Sequence, residues 1–367
     1  MPRLLHTADW QIGRAFASFD PDDAVPLAEA RFAAVERLAA LATDHAVDAV
    51  LVAGDVFDAQ TVSARSIRRL FNALAGFAGP WVLIPGNHDA ALADSVWTHA
   101  QRLGAVPAPV RLLLQPGVLE LPALRLAVLA APLTQRHTHG DTTAAFDGWA
   151  TPEGWLRVGL AHGAVQGVLP DDIDAPNPIA PARAASARLD YLALGDWHGT
   201  RRIDDRTWYA GTPEPDRFRA NDSGQALLVD LDGPGAVPRV QPLRVAQHRW
   251  QQLQHTLNVP SDLDTLAALL QPLQGGDVVE LALAGQVDLA THQQVQRLLD
   301  EAEARVRCLR RDTAALQLRP TDADLAALQA DGYVGAVLAD LRGSADPVAQ
   351  HALQLLTTLL ASRQPQA

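Results

Sequence analysis

Five short polar blocks are spaced along the chain, each directly after an apolar run: Asp9-Trp10-Gln11, Gly54-Asp55-Val56-Phe57-Asp58, Gly86-Asn87-His88-Asp89, Ala161-His162-Gly163 and Gly195-Asp196-Trp197-His198-Gly199. In an open α/β sheet the carboxyl ends of parallel strands lie along one edge. Residues placed just after different strands therefore meet there, although they are far apart in sequence. Aspartate, asparagine and histidine brought together in this way supply carboxylate, amide and imidazole donors with no thiolate, a set suited to divalent metal ions. Any one block alone reads as a turn or helix cap, and a lone histidine as a satisfied core residue. The five in this order read jointly as a metal site.

The elements that would carry the blocks are legible up to about Leu243. Asp22 to Ala46 has Leu27, Ala30, Val35, Leu38 and Leu41 at helical spacing and feeds the β-branched run Val47 to Val52. A second helix, Ser63 to Phe77, precedes the strand Trp81 to Ile84. From Val110 onward the signal changes to consecutive strands, Val110 to Leu114, Val118 to Leu121 and Leu124 to Leu129, joined by Pro and Gly turns. A mixed sheet or sandwich flanked by helices is expected, of the α/β (α+β) class, closed by strands Ala226 to Leu231 and Val237 to Val245. From Gln247 to Leu318 the pattern is strand, helix, strand, helix, strand, a small α+β module. Thr321 with Asp324 gives a capping-box signal, and a stripe of Val348, Leu353, Leu356 and Leu360 follows Asp346, read as packing on its own module. The expected divisions are residues 1–245, 246–345 and a helix or tail at 346–367.

The 367 residues carry 30 basic side chains, all arginine, against 42 acidic ones, for a formal charge of -12. A basic surface that coats a polyanion wholesale is thereby disfavoured, and any phosphate must be met locally. A 48% hydrophobic content excludes a disordered or collagen-like chain. The single cysteine, Cys308, cannot form an internal disulfide. Met1 leads straight into Leu4-Leu5-His6 without a signal-peptide core, and no apolar run approaches ~18 residues. A cytoplasmic protein with no membrane span is the expectation.

The motifs resemble the calcineurin-like binuclear metallophosphoesterases and, within them, the SbcD-type nucleases of double-strand-break repair. The stretch Trp208-Tyr209-Ala210-Gly211-Thr212-Pro213-Glu214 resembles the loop after that family's last metal motif, and the later module resembles its DNA-capping domain. The resemblance implies one metal held by Asp9, Gln11, Asp55 and His198, and another by Asp55, Asn87, His162 and Asp196, with Asp55 bridging. Two divalent ions about 3.5–4 Å apart suit in-line attack on phosphorus. His88 takes the role of general acid, with Asp89 as its orienter. The family usually has histidine at Gln11 and Asp196. These departures shift the donors towards hard oxygen, which favours Mn(II) over zinc and weakens the first site.

Other residues have a functional and a bland reading. Trp10 and Trp197 can stack a nucleobase, with burial against the sheet the stronger reading. Arg65, Arg68 and Arg69 can receive backbone phosphates or form a solvated helix face. Arg201, Arg202, Arg217 and Arg219 follow the final block and have the better claim. His6, inside the first strand, is read as structural, and Asp58 as a loop-fixing acceptor. The leading function is a metal-dependent DNA phosphodiesterase, endonuclease and/or exonuclease, acting in repair on single-stranded or flexible ends. The alternatives are a small-molecule or phosphoprotein phosphoesterase and a non-catalytic scaffold. The resemblance implies either an SMC-like coiled-coil ATPase or an Lhr-type helicase as partner, and leaves a homodimer open.

Overall fold

The apolar run before each polar block becomes a strand in the computed structural model, which describes residues 1–168, 177–321, 324, 333–344 and 346–363. The chain divides into two units, Met1–His248 and Arg249–Ala367. The first unit runs β1 (Arg3–Thr7), α1 (Pro21–Asp44), β2 (Ala49–Ala53), α2 (Ala64–Ala73), β3 (Trp81–Ile84), α3 (Val96–Arg102), β4 (Val110–Leu112), β5 (Gly117–Leu121), β6 (Leu126–Ala131) and β7 (Leu156–His162). It continues with β8 (Ala164–Val165), β9 (Pro178–Ile179), α4 (Arg183–Ser186), β10 (Tyr191–Gly195), β11 (Arg201–Arg202), β12 (Thr207–Tyr209), β13 (Gln225–Asp230) and β14 (Arg239–Arg244).

Two six-stranded mixed sheets result, ordered β14-β13-β1-β2-β3-β4 and β11-β12-β10-β7-β6-β5. Within them β1, β2 and β3 are mutually parallel, as are β6, β7 and β10, because helices or long crossovers connect them. Leu4, Leu51, Val82 and Ile84 of the first sheet share one buried cluster with Val128, Leu160, Tyr191 and Ala193 of the second. That cluster is the filling of a sandwich. The other face of the first sheet buries Leu5, Val50, Val52 and Leu83 under Val35, Leu38, Ile67 and Leu70 of α1 and α2. The second helix is shorter than its periodicity suggests: α2 stops at Ala73 and a 3-10 turn, Leu74–Gly76, completes it.

His6 is buried within this sandwich. Its Nε2–H donates to the Leu194 carbonyl at 3.1 Å, and its Nδ1 accepts from the Tyr191 hydroxyl at 2.9 Å. Burial holds the ring neutral, with its pKa lowered to about 3. Beyond Leu194 the two sheets converge at Gly195, where an added Cβ would lie 2.0 Å from the Ala53 carbonyl oxygen and 2.9 Å from the Ala8 Cβ. Gly195→Ala is therefore expected to cost about 1–3 kcal/mol through forced backbone shifts, read as a lower urea midpoint at unchanged m-value.

The second unit runs β15 (Arg249–Leu257), α5 (Ser261–Leu270), β16 (Asp277–Val287), α6 (Leu289–Glu303), β17 (Cys308–Leu318), α7 (Tyr333–Gly343) and α8 (Pro347–Arg363). The three strands are parallel, and Leu266, Leu270, Val295 and Leu299 of the crossover helices bury Val279, Leu281, Leu283 and Leu309. Several of its arginines are paired internally: Arg249 with Asp277, Arg310 with Glu280, and Arg311 with Asp300. Thr321 and Asp324 make the reciprocal capping bonds, and most of the helix they would open lies outside the described residues. Of the C-terminal stripe, Leu353 is buried and Leu360 packs on Leu289 and Leu318 of the same unit, whereas Val348 is exposed. No described helix is long and apolar enough to cross a membrane.

Candidate metal centre

Strands β1, β2, β3, β7 and β10 each deliver one polar block at the same edge of the sandwich. The turns are strained there, with Asp9, Gln11, Asp55 and Asp196 at φ of 54°, 51°, 52° and 99°. Non-glycine residues in this region cluster at sites where geometry is functional. Gly86 has to be glycine for close approach: a Cβ would sit 2.2 Å from Asp55 Oδ1.

Asp9, Asp55 and His162 are buried and offer ligand atoms that all lie within 4.8 Å of one another. His162 Nδ1–H donates to the Ala53 carbonyl at 2.8 Å, turning Nε2 towards Asn87 Oδ1 at 2.8 Å and towards Asp55 and Asp196 carboxylate oxygens at 3.6 Å each. The Asp196 backbone N–H donates to the Asp9 carboxylate at 3.1 Å. Gln11 Nε2 donates to Asp55 Oδ2 at 2.9 Å, and its Oε1 is buried with no hydrogen-bond partner among the described residues. Such an orphan oxygen, beside carboxylates forced together, fits a cation.

The electrostatics agree. Burial pushes Asp9 up to about 6, with Asp55 and Asp196 adding to the rise against His198 and His162. Burial also raises Asp196. Burial would lower His162, but Asp55, Asp196 and Asp9 together carry it up to about 9. Acidic groups buried this close together are relieved when a divalent ion supplies the positive charge. The donor set therefore fits divalent metal.

His198 stands at the rim, its Nδ1 3.0 Å from Asp216 Oδ2. Burial alone would raise Asp216, but His198, Arg31 and Arg217 hold it well below the usual carboxylate range. An ionised Asp216 at Nδ1 favours the tautomer that leaves the Nε2 of His198 with a free lone pair. Asp216 escapes sequence reasoning because it lies in the turn after Glu214, and the only signal is its place within a Pro-Asp-Arg run. His88 is the most open of the group, its side chain 33% exposed. Its backbone N–H donates to Asp55 Oδ1 at 2.9 Å and its Nδ1–H to the Asp58 carbonyl at 2.8 Å.

Asp58 thus orients His88, through its backbone, and Asp89 does not. Both Asp89 oxygens are taken by the backbone N–H groups of Gly86 and Phe57, at 2.7 and 3.1 Å, so Asp89 ties two ligand-bearing loops together. Burial raises its pKa to about 7. Trp10 takes the stronger of its two readings, burial against the sheet. It is 1% exposed, its indole N–H bonds Thr7 Oγ1, and its ring packs edge-on to Trp81, so no face is open to a base. Arg69 spends its fork on Glu29, with both bonds at 2.6 Å, and lies over Phe32. Arg68 bonds the Leu103 carbonyl, and Arg202 pairs with Asp205. Arg65 is exposed in the first turn of α2, and Arg219 is exposed beyond Arg217. Arg217 pairs with Asp216, and half-buried Trp197 carries Arg201 over its ring at 5.7 Å.

Residues 2–165 match the family described as calcineurin-like phosphoesterase. The chain is 31% identical over 347 aligned residues to the SbcD component of the nuclease SbcCD from Rhodobacter capsulatus, covering 77% of this chain and 80% of that protein. It is 29% identical over 268 residues to the DNA double-strand break repair protein Mre11 of Aeropyrum pernix, covering 68% and 63%. The corresponding SbcD component of the nuclease SbcCD from Bacillus subtilis is 28% identical over 264 residues, covering 62% of this chain and 65% of that protein.

Proposed function

The chain belongs to the calcineurin-like metallophosphoesterases of the SbcD nuclease type, and we propose from that premise that it hydrolyses DNA phosphodiesters in double-strand-break repair. The observation that carries this reading is the convergence of Asp9, Asp55 and His162 within 4.8 Å, beside relatives named as nucleases and break-repair proteins. Asp9, Gln11, Asp55 and His198 would hold one divalent ion, and Asp55, Asn87, His162 and Asp196 the other. Ions held there neutralise phosphate charge and activate water for in-line attack.

The chain's own residues do the rest. His162 and His198 are locked by the Ala53 carbonyl and Asp216, so neither needs to reorganise when a ligand arrives. His88, held by Asp58 and open to solvent, donates a proton to the leaving oxygen in its protonated form. Exposed Arg217, beside Asp216, and half-buried Arg201, over Trp197, are the cations offered to neighbouring phosphates. The unit beginning at Arg249 acts as a capping-like domain that selects substrate. The partner is an SMC-like coiled-coil ATPase, in keeping with relatives that are named as components of a larger nuclease.

The metal is Mn(II). Carboxylates at Asp9, Asp55 and Asp196 and amides at Gln11 and Asn87 outnumber the two imidazoles, and no thiolate is present. Purified protein incubated with end-labelled linear and circular DNA, single- and double-stranded, is expected to cut with manganese, weakly or not at all with magnesium, and not with chelator. Nicking of circles establishes endonuclease action. Hydrolysis of phosphomonoesters with DNA left intact would favour a small-molecule phosphoesterase instead, and activity with zinc alone would refute the hard-donor argument.

A further inference from the structure

We infer that Arg31 is a positioning residue that joins the Asp9–Gln11 turn to the loop orienting His198, and thereby governs one of the two metal sites. The inference rests on the two-metal reading above. Arg31 projects inward from α1 and is 2% exposed, a rare placement for a guanidinium. Burial lowers its pKa, and Asp216 and Glu214 act on it only at longer range. Its donors go to Trp10 O at 2.7 Å, Thr212 Oγ1 at 3.0 Å, Glu214 O at 3.1 Å and Asp9 O at 3.4 Å. No carboxylate shares the fork among the described residues.

The N–H groups of Asp9 and Gln11 are used on the Gly54 and Asp55 carbonyls, at 3.0 Å each. The carbonyls of Asp9 and Trp10 both accept from Arg31. It therefore braces a turn whose Asp9 and Gln11 are held at positive φ. On the other side, Thr212 Oγ1 accepts from Arg31 while donating to the Glu214 carbonyl at 2.8 Å. Two residues on, Asp216 fixes His198.

Asp9, Gln11 and His198 thus share one foundation, and all belong to the same proposed metal site. Asn87, His162 and Asp196 take their places from the loop after β3 and from β7 and β10. Among the described residues, their one hydrogen bond to the braced turn is the Asp196 N–H on the Asp9 carboxylate. Loss of the fork should consequently fall on one site. Charge is not what matters: a lysine ammonium has the charge but cannot span both segments.

The test is manganese titration of the full chain by calorimetry, with electron paramagnetic resonance to separate a coupled ion pair from an isolated ion. The unaltered protein is expected to bind two ions. In Arg31→Met and Arg31→Lys one ion should weaken about 10–100-fold, the usual range for loss of an orienting partner, while the other changes little. Thr212→Val, a smaller change that tests the same connection if the arginine variants do not fold, should shift the same site by a smaller factor. Circular dichroism of the metal-free variants checks the fold. Equal weakening of both ions in a folded variant, no weakening of either, or rescue by Arg31→Lys would overturn the inference. Fewer than two ions on the unaltered protein would instead refute the two-metal reading.

Discussion

His88→Asn should lower turnover on DNA by ~10²–10⁴-fold while both metal ions remain bound, the range that general acid catalysis contributes. The geometry separates the two effects. His88 meets Asp55 only through its backbone N–H, a bond that any residue at this position keeps. Its ring is carried by the Asp58 carbonyl, and Nε2 is 4.0 Å from the nearer Asp55 oxygen, too far for a hydrogen bond and on the open side of the site. An asparagine amide can still donate to the Asp58 carbonyl but cannot deliver a proton. An activated aryl ester needs little protonation of its leaving group, so its hydrolysis should fall much less than that of DNA. Equal loss on both substrates, or loss of bound metal, would show that His88 holds the site together.

The five blocks were legible because their geometry is imposed by strands, and the strands are written in β-branched runs such as Val50 to Val52 and Trp81 to Ile84. Parallel pairing then brings their ends together whatever the intervening loops do. What supports the blocks was not legible, because it depends on which way backbone carbonyls point and which helices are neighbours. Asp58 orients His88 through a carbonyl, an atom every residue has, so its residue type carries no signal. Arg69 looks like a phosphate ligand until α1 places Glu29 against it. Arg31 carries no signal of its own in the sequence, and only the fold turns it inward. Trp10 is drawn into the core by the same left-handed turn that aims Asp9 and Gln11 at the site.

Asp55→Asn is expected to abolish binding of both metals and with it all DNA cleavage, and at the same time to make the metal-free protein more stable. Oδ1 accepts the His88 N–H and lies 3.6 Å from His162 Nε2, while Oδ2 accepts from Gln11, so the carboxylate stands between the two ligand sets. An amide has one acceptor oxygen and no charge, and it cannot bridge two cations. Without metal, however, the carboxylate is a burden on its acidic neighbours: its charge helps to raise the pKa of Asp9 and Asp89, both fully buried, while His162, which it also favours in the protonated form, keeps Asp196 at 3.6 Å and Asp9 as partners. Removing it lessens repulsion among acids that have no room to separate. The new amide can keep its oxygen on the His88 N–H and turn its NH₂ to Gln11. Gln11 has only to rotate its own amide to present Oε1, the buried oxygen that otherwise has no donor. The hydrogen bond to Gln11 is exchanged and not added, its Nε2 taking the place of the unpartnered oxygen, so the gain is the relief of charge repulsion, on the order of 1 kcal/mol. The metal-free variant should therefore melt above the metal-free parent in chelator, while manganese stabilises only the parent. This opposition is the mark of a residue kept for function at the expense of stability. A variant that melts lower than the parent in chelator would place Asp55 among the structural supports of the fold.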